Sequence, residues 1–158
     1  MTGFDDQETK LPSYWSTPFK ELCVGMKVGA DLNFISINYT ADSLYSLFAD
    51  GRYRATVLGR EKWKSLINNS SLQSKCNQEG FNIGLSSWVH HTRTRLGIIG
   101  NEQSHCDTPD SFLGFGGKNS TIACHQDALI PTICGNLAYC ESDNGDKDIQ
   151  AMGYILVR

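Results

Sequence analysis

The chain has 158 residues, a formal net charge of −3, 40% hydrophobic and 20% charged residues, values ordinary for one globular domain with a single core. The slight acidity leaves no footprint for nucleic acid or an anionic membrane, and no apolar run reaches the ~18 residues of a membrane span. Six cysteines without a CxxC pair argue against a zinc ribbon or a thioredoxin-like motif and suit disulfides in an oxidising compartment.

In chain order, residues 1–13 ("MTGFDDQETKLPS") are polar and acidic and read as an arm; they lack the basic and apolar regions of a signal peptide, so a mature or recombinant form is expected. Residues 14–158 read as one domain. A first strand is expected around Cys23–Val28. In "NFISINY" Ile35, Ile37 and Tyr39 alternate with Phe34, Ser36 and Asn38, the period of a half-buried strand. Asn38 then faces solvent; it heads one of four N-x-S/T sequons, at Asn38, Asn68, Asn69 and Asn119, which fit a secreted glycoprotein.

Two short helices follow. Asp42 is placed to cap the first, with Leu44, Leu47 and Phe48 as its apolar stripe and Gly51 as its stop; Trp63, Leu66 and Ile67 mark the second. From Cys76 onward, apolar runs ("FNIGL", "TRLGIIG", "AMGYILV") alternate with long polar loops, which need a tether such as a disulfide or a bound cation. Six cysteines allow fifteen pairings. Cys106, Cys124, Cys134 and Cys140 are expected to staple the loops locally, leaving Cys23 and Cys76 to pair with each other or between chains. The closing run Ala151–Val157 is apolar on both faces and reads as a central strand. The expected fold class is α+β: short helices packed on a twisted, mainly antiparallel sheet with long disulfide-tethered loops.

The stretch "GNEQSHCDTPDSFLGFGG" crowds oxygen-bearing side chains between an apolar run and a glycine-rich turn, and "ESDNGDKD" at Glu141–Asp148 adds a second acidic segment. Six to eight oxygens at ~2.4 Å are what Ca²⁺ requires. Neither stretch is an EF-hand, and turn formation alone also favours Asp, Asn and Gly. Tyr139, beside the acidic segment, and Trp88 are aromatic faces on which a sugar ring can stack. His90, His91, His105 and His125 sit in no G-x-S-x-G or H-E-x-x-H signature, so no catalysis is expected.

The succession "TRLGIIGNEQSHC", "PDSFLGFGG", "CGN" and "IQAMGYILVR" resembles, from Thr94 to Arg158, the C-terminal part of intelectins and, more distantly, fibrinogen-like lectin domains. The whole chain is similar to sea-anemone galactose-binding, calcium-dependent lectins and to cnidarian secreted and skeletal-matrix domains. The resemblance implies a secreted lectin whose Ca²⁺ is ligated directly by two vicinal hydroxyls of a terminal, β-linked galactose. Asn101 and Glu102 stand where intelectins carry an Asn-Glu pair, and Asp110 stands where they carry a histidine. The glutamate that intelectins place beyond the glycines has no counterpart, and its role passes to the acidic segment. The candidate metal ligands are therefore Asn101, Glu102, Asp107, Asp110, Glu141, Asp143 and Asp148, and the candidate sugar contacts Asn101, Glu102, His105, Asp110, Tyr139 and Trp88. A homodimer is expected, because two linked sites multiply a weak affinity. A calcium-binding matrix or adhesion domain that ignores sugar is the rival from another class.

Overall fold

The computed structural model describes residues 7, 9–84, 92–119 and 133–158. Among them run, in order, α1 (Ser13–Ser16), β1 (Phe19–Val28), β2 (Asp31–Ala41), α2 (Leu44–Phe48), β3 (Arg54–Ala55), α3 (Arg60–Lys64), β4 (Lys75–Ile83), β5 (Thr92–Asn101), β6 (Ser111–Phe115), β7 (Lys118–Asn119), β8 (Cys134–Ala138), β9 (Lys147–Gln150) and β10 (Met152–Val157). They form two antiparallel sheets: one of three strands in the order β10-β1-β2, and one of seven in the order β3-β4-β5-β6-β8-β9, with β7 paired to the start of β5. The fold is therefore predominantly β, which corrects the α+β expectation. The apolar stripes at Leu44–Phe48 and Trp63–Ile67 do mark helical turns, but each helix is five residues long, too short to form a layer of its own.

One core packs the sheets against each other. Leu22, Val24 and Met26 of β1 and Ile35 and Ile37 of β2 meet Phe81 of β4, Leu96 and Ile98 of β5, and Leu113 and Phe115 of β6; Leu44, Leu47, Trp63, Leu66 and Ile67 join them from the helical turns. Each such side chain, fully buried, gains about 1.5–3 kcal/mol over exposure. The alternation in β2 is as expected, with Ile35 and Ile37 buried and Phe34, Ser36 and Asn38 exposed. Glu79 on β4 fastens the start of α3: its carboxylate accepts from Thr56 Oγ1 (2.6 Å), Trp63 Nε1 (2.8 Å) and the N–H groups of Leu58 (3.0 Å) and Gly59 (2.7 Å). Burial pushes this carboxyl up, but the four donors together leave it below its usual value.

Four further expectations need correction. Ser43, not Asp42, caps α2: it is extended, its hydroxyl accepts from the Ser46 N–H, and the Ser46 hydroxyl answers with the Ser43 N–H in a reciprocal box. The closing strand β10 lies at the edge of the three-stranded sheet, paired to β1 on one side; its Ile155 and Val157 reach the core, while Leu156 on the other face is 54% exposed. Of the expected glycine-rich turn "GFGG", Gly114 and Phe115 belong to strand β6 inside the larger sheet, and only Gly116 and Gly117 lie beyond its end. Cys76 pairs with Cys106, with 5.3 Å between their Cα atoms. Antiparallel pairing of β4 with β5 sets Lys75 opposite Asn101 and so brings Cys76 to the loop after β5, while Cys23 lies on β1 of the other sheet and keeps its thiol. Cys124 lies outside the described residues.

The larger sheet is crossed by a row of glycines. Gly80, Gly97, Gly114 and Gly135 are register partners in sequence across β4, β5, β6 and β8. At Gly97 the backbone has φ +157°, and a Cβ there would stand 2.3 Å from the Leu113 carbonyl oxygen. Among the described residues no helix is long and apolar enough to cross a membrane.

Candidate functional site

The loop after β5 is folded by Asn101. This residue is fully buried; its Nδ2 donates to the His105 carbonyl (2.8 Å) and its Oδ1 accepts from the Glu102 N–H (3.0 Å). The side chain thus stands in for a backbone turn, and the Cys76–Cys106 disulfide pins the far end of that turn to β4. Beneath the loop lies a second, smaller apolar cluster of Ile83, Ile99, Phe112 and Leu137, against which Cys106, Tyr139 and Cys140 pack.

Gln73 joins this loop to the segment after β8. Buried completely, it donates through Nε2 to Glu102 Oε2 (2.6 Å) and to the Cys140 carbonyl (3.1 Å), while its Oε1 accepts from the Asp110 N–H (3.1 Å). Its backbone N–H donates to Ser111 Oγ (3.0 Å). Asn136 of β8 holds the chain two residues earlier, with bonds of 2.8 Å to both backbone groups of Ser71.

The other candidates do not come together in one place. Glu102 and Asp110 come together with the Cys140 segment around Gln73; Asp110 is 2% exposed, Glu102 half-buried. His105 and Asp107 are both exposed and face each other at 3.7 Å on the outer side of the loop. Asp143 is engaged elsewhere: its carboxylate accepts from Arg60 (2.7 Å), Lys64 (2.6 Å) and the Leu72 N–H (3.1 Å). Burial acts to raise its pKa, but these donors bring it down to about 2. Tyr139 has its phenol pushed above the ordinary value by burial first and then by the charges of Asp148 and Asp146, so those two carboxylates stand near it. Glu141 is exposed and follows Cys140 in the left-handed region, at φ +64° and +59°. Trp88 lies outside the described residues.

No known protein family, curated protein or solved structure matches the chain. The loop has to be judged by its own chemistry. Among the described residues no three His, Cys, Asp or Glu side chains gather closely enough to hold a metal. A cation at Glu102 would draw on one carboxylate and otherwise on backbone, amide and water oxygens, a hard donor set that suits Ca²⁺ and not zinc.

Gln73, Asn136 and Arg60 are the site residues that sequence reading missed. "SSLQSKC" looks like the polar stop of a helix, and nothing local marks Gln73 as buried. The single available signal is an uncharged run between Ile67 and Lys75, polar except for Leu72.

Proposed function

We propose that the chain is a secreted, calcium-dependent lectin that takes a terminal, β-linked galactose at the loop after β5. The observation that carries this reading is the gathering of the Glu102 carboxylate and the Cys140 carbonyl on one buried amide, in a loop already folded by Asn101 and tied by a disulfide. Oxygens held in place before the ligand arrives cost less to order on binding. Calcium, when bound, would supply open coordination places for two sugar hydroxyls. Tyr139, near Asp146 and Asp148, offers a ring for the apolar face of galactose. The disulfide supports an oxidising compartment, and the resemblance to sea-anemone lectins supports galactose. Two copies acting together would raise the avidity of so shallow a site, and light scattering of the full chain should give the mass of a dimer.

Calorimetry of the wild type and of Glu102→Gln tests the reading. Glutamine keeps the shape and one acceptor for Gln73 but removes the charge. Wild type should bind calcium, and lactose only in its presence; the variant, folded by circular dichroism, should lose at least about tenfold in both. Lactose binding that persists in chelator, or unchanged in Glu102→Gln, rejects the proposal. Calcium heat with no lactose heat would leave the calcium-binding matrix domain.

A further inference from the structure

The geometry points to Gln73 as a positioning residue that makes Glu102 a one-oxygen cation ligand, and to Gln103 as an internal competitor for that oxygen. The inference rests on the calcium reading of this loop and goes beyond it, because neither glutamine belongs to the expected ligand set.

The orientation of the Gln73 amide is settled by its neighbours. A backbone N–H is only a donor, and that of Asp110 lies 3.1 Å from one end of the amide, so that end is the oxygen. The NH₂ end must then face Glu102 Oε2 at 2.6 Å and the Cys140 carbonyl at 3.1 Å, both acceptors. Turning the amide over would set a donor against the Asp110 N–H and an acceptor against two oxygens. Glu102 Oε2 is therefore committed to a donor that is fully buried and held at its other end.

Oε1 of the same carboxylate has a different partner. It accepts from Nε2 of Gln103, an exposed residue. This bond can be exchanged for a cation without opening the interior, while the bond from Gln73 cannot. Glu102 thus offers one oxygen, aimed by Gln73, and Gln103 must be displaced from it. The two glutamines are expected to act on cation affinity with opposite signs, a pattern that loss of folding does not produce.

The test is a calcium titration by calorimetry on the full chain as wild type, Gln73→Leu and Gln103→Ala, with circular dichroism and thermal melts of each. Gln73→Leu should weaken calcium binding by about tenfold or more, the size of effect seen when a group that orients a metal ligand is removed. Gln103→Ala, at an exposed position, should melt like wild type and bind calcium roughly two- to fivefold more tightly, the net worth of one competing hydrogen bond. If Gln73→Leu does not fold, the sign at Gln103→Ala decides alone. Wild-type binding with affinity unchanged or weakened in Gln103→Ala overturns the inference and leaves the calcium reading standing. No calcium binding by wild type ends both.

Discussion

Asp143 shows how a single acidic residue can be assigned to structure instead of to a ligand set. Its two oxygens are shared among Arg60, Lys64, the Leu72 N–H and the Ser71 hydroxyl, so it fastens the 60–73 segment to the turn before β9. Its folded pKa of about 2 lies below the ordinary 3.8. A carboxyl lowered in this way adds stability that is whole above the unfolded value and vanishes as pH falls through the folded one. Asp143→Asn should cost about 1 kcal/mol near neutral pH, the low end for charge-assisted bonds because the carboxylate is partly open to solvent. In urea melts the gap between the two proteins should hold steady above pH 3.8 and close as pH approaches about 2. A gap that persists at the acid end would assign the loss to shape and not to charge.

At the scale of elements, the glycine row decides what the larger sheet tolerates. Gly97→Ala sets a Cβ 2.3 Å from the Leu113 oxygen and 2.7 Å from the Gly114 Cα, both backbone atoms, at φ +157°. Neither neighbour can swing away, and the expected cost is about 3 kcal/mol or more. Gly51→Ala is the control: φ is +67° with no atom within 4 Å of the added Cβ, and the left-handed backbone alone should cost about 1 kcal/mol. Urea midpoints of the two variants compare them directly; equal losses would mean that the row does not bring the strands close. The same row explains which elements could be read in advance. Strand β2 was legible because Ile35 and Ile37 are buried and Phe34 and Ser36 are not, so its pattern alternates. Strands β6 and β8 were hidden, because β6 ends in a run of glycines, Gly114, Gly116 and Gly117, and β8 opens on Cys134, Gly135 and Asn136, and both imitate turn chemistry. The apolar run in β10 misled in the other direction, since being apolar on two faces does not require a partner on two edges.

At the scale of the molecule, the described residues join the candidate loop to the scaffold through the Cys76–Cys106 disulfide and the buried Gln73 amide. The Cys76–Cys106 bond closes a span of 30 residues, for which chain entropy gives about 3–4 kcal/mol. Replacing both cysteines by serine should lower stability by that amount in urea melts, and Cys23→Ser should not change it. A loss under about 1 kcal/mol in the double variant would show that Gln73 and Asn101 hold the loop unaided. The place of the loop was legible from its oxygens and its glycine-flanked setting. Its support was not, because Gln73 stands 29 residues from Glu102 and 67 from Cys140, and no periodicity within one stretch reports a contact made across such a distance.

The knot beneath the loop also bears on the order of assembly. Ser71 meets Asn136 across 65 residues and Arg60 meets Asp143 across 83. Closing loops of that length costs chain entropy before any contact repays it, so these bonds are expected to form late, after the hairpins of β1 with β2 and of β5 with β6. Bonds absent from the rate-limiting barrier slow unfolding without hastening folding. In stopped-flow mixing, Arg60→Ala should therefore unfold faster than wild type and refold at nearly the same rate. The surface proposed to meet a sugar would then be the last part of the chain to take shape and the first to be lost.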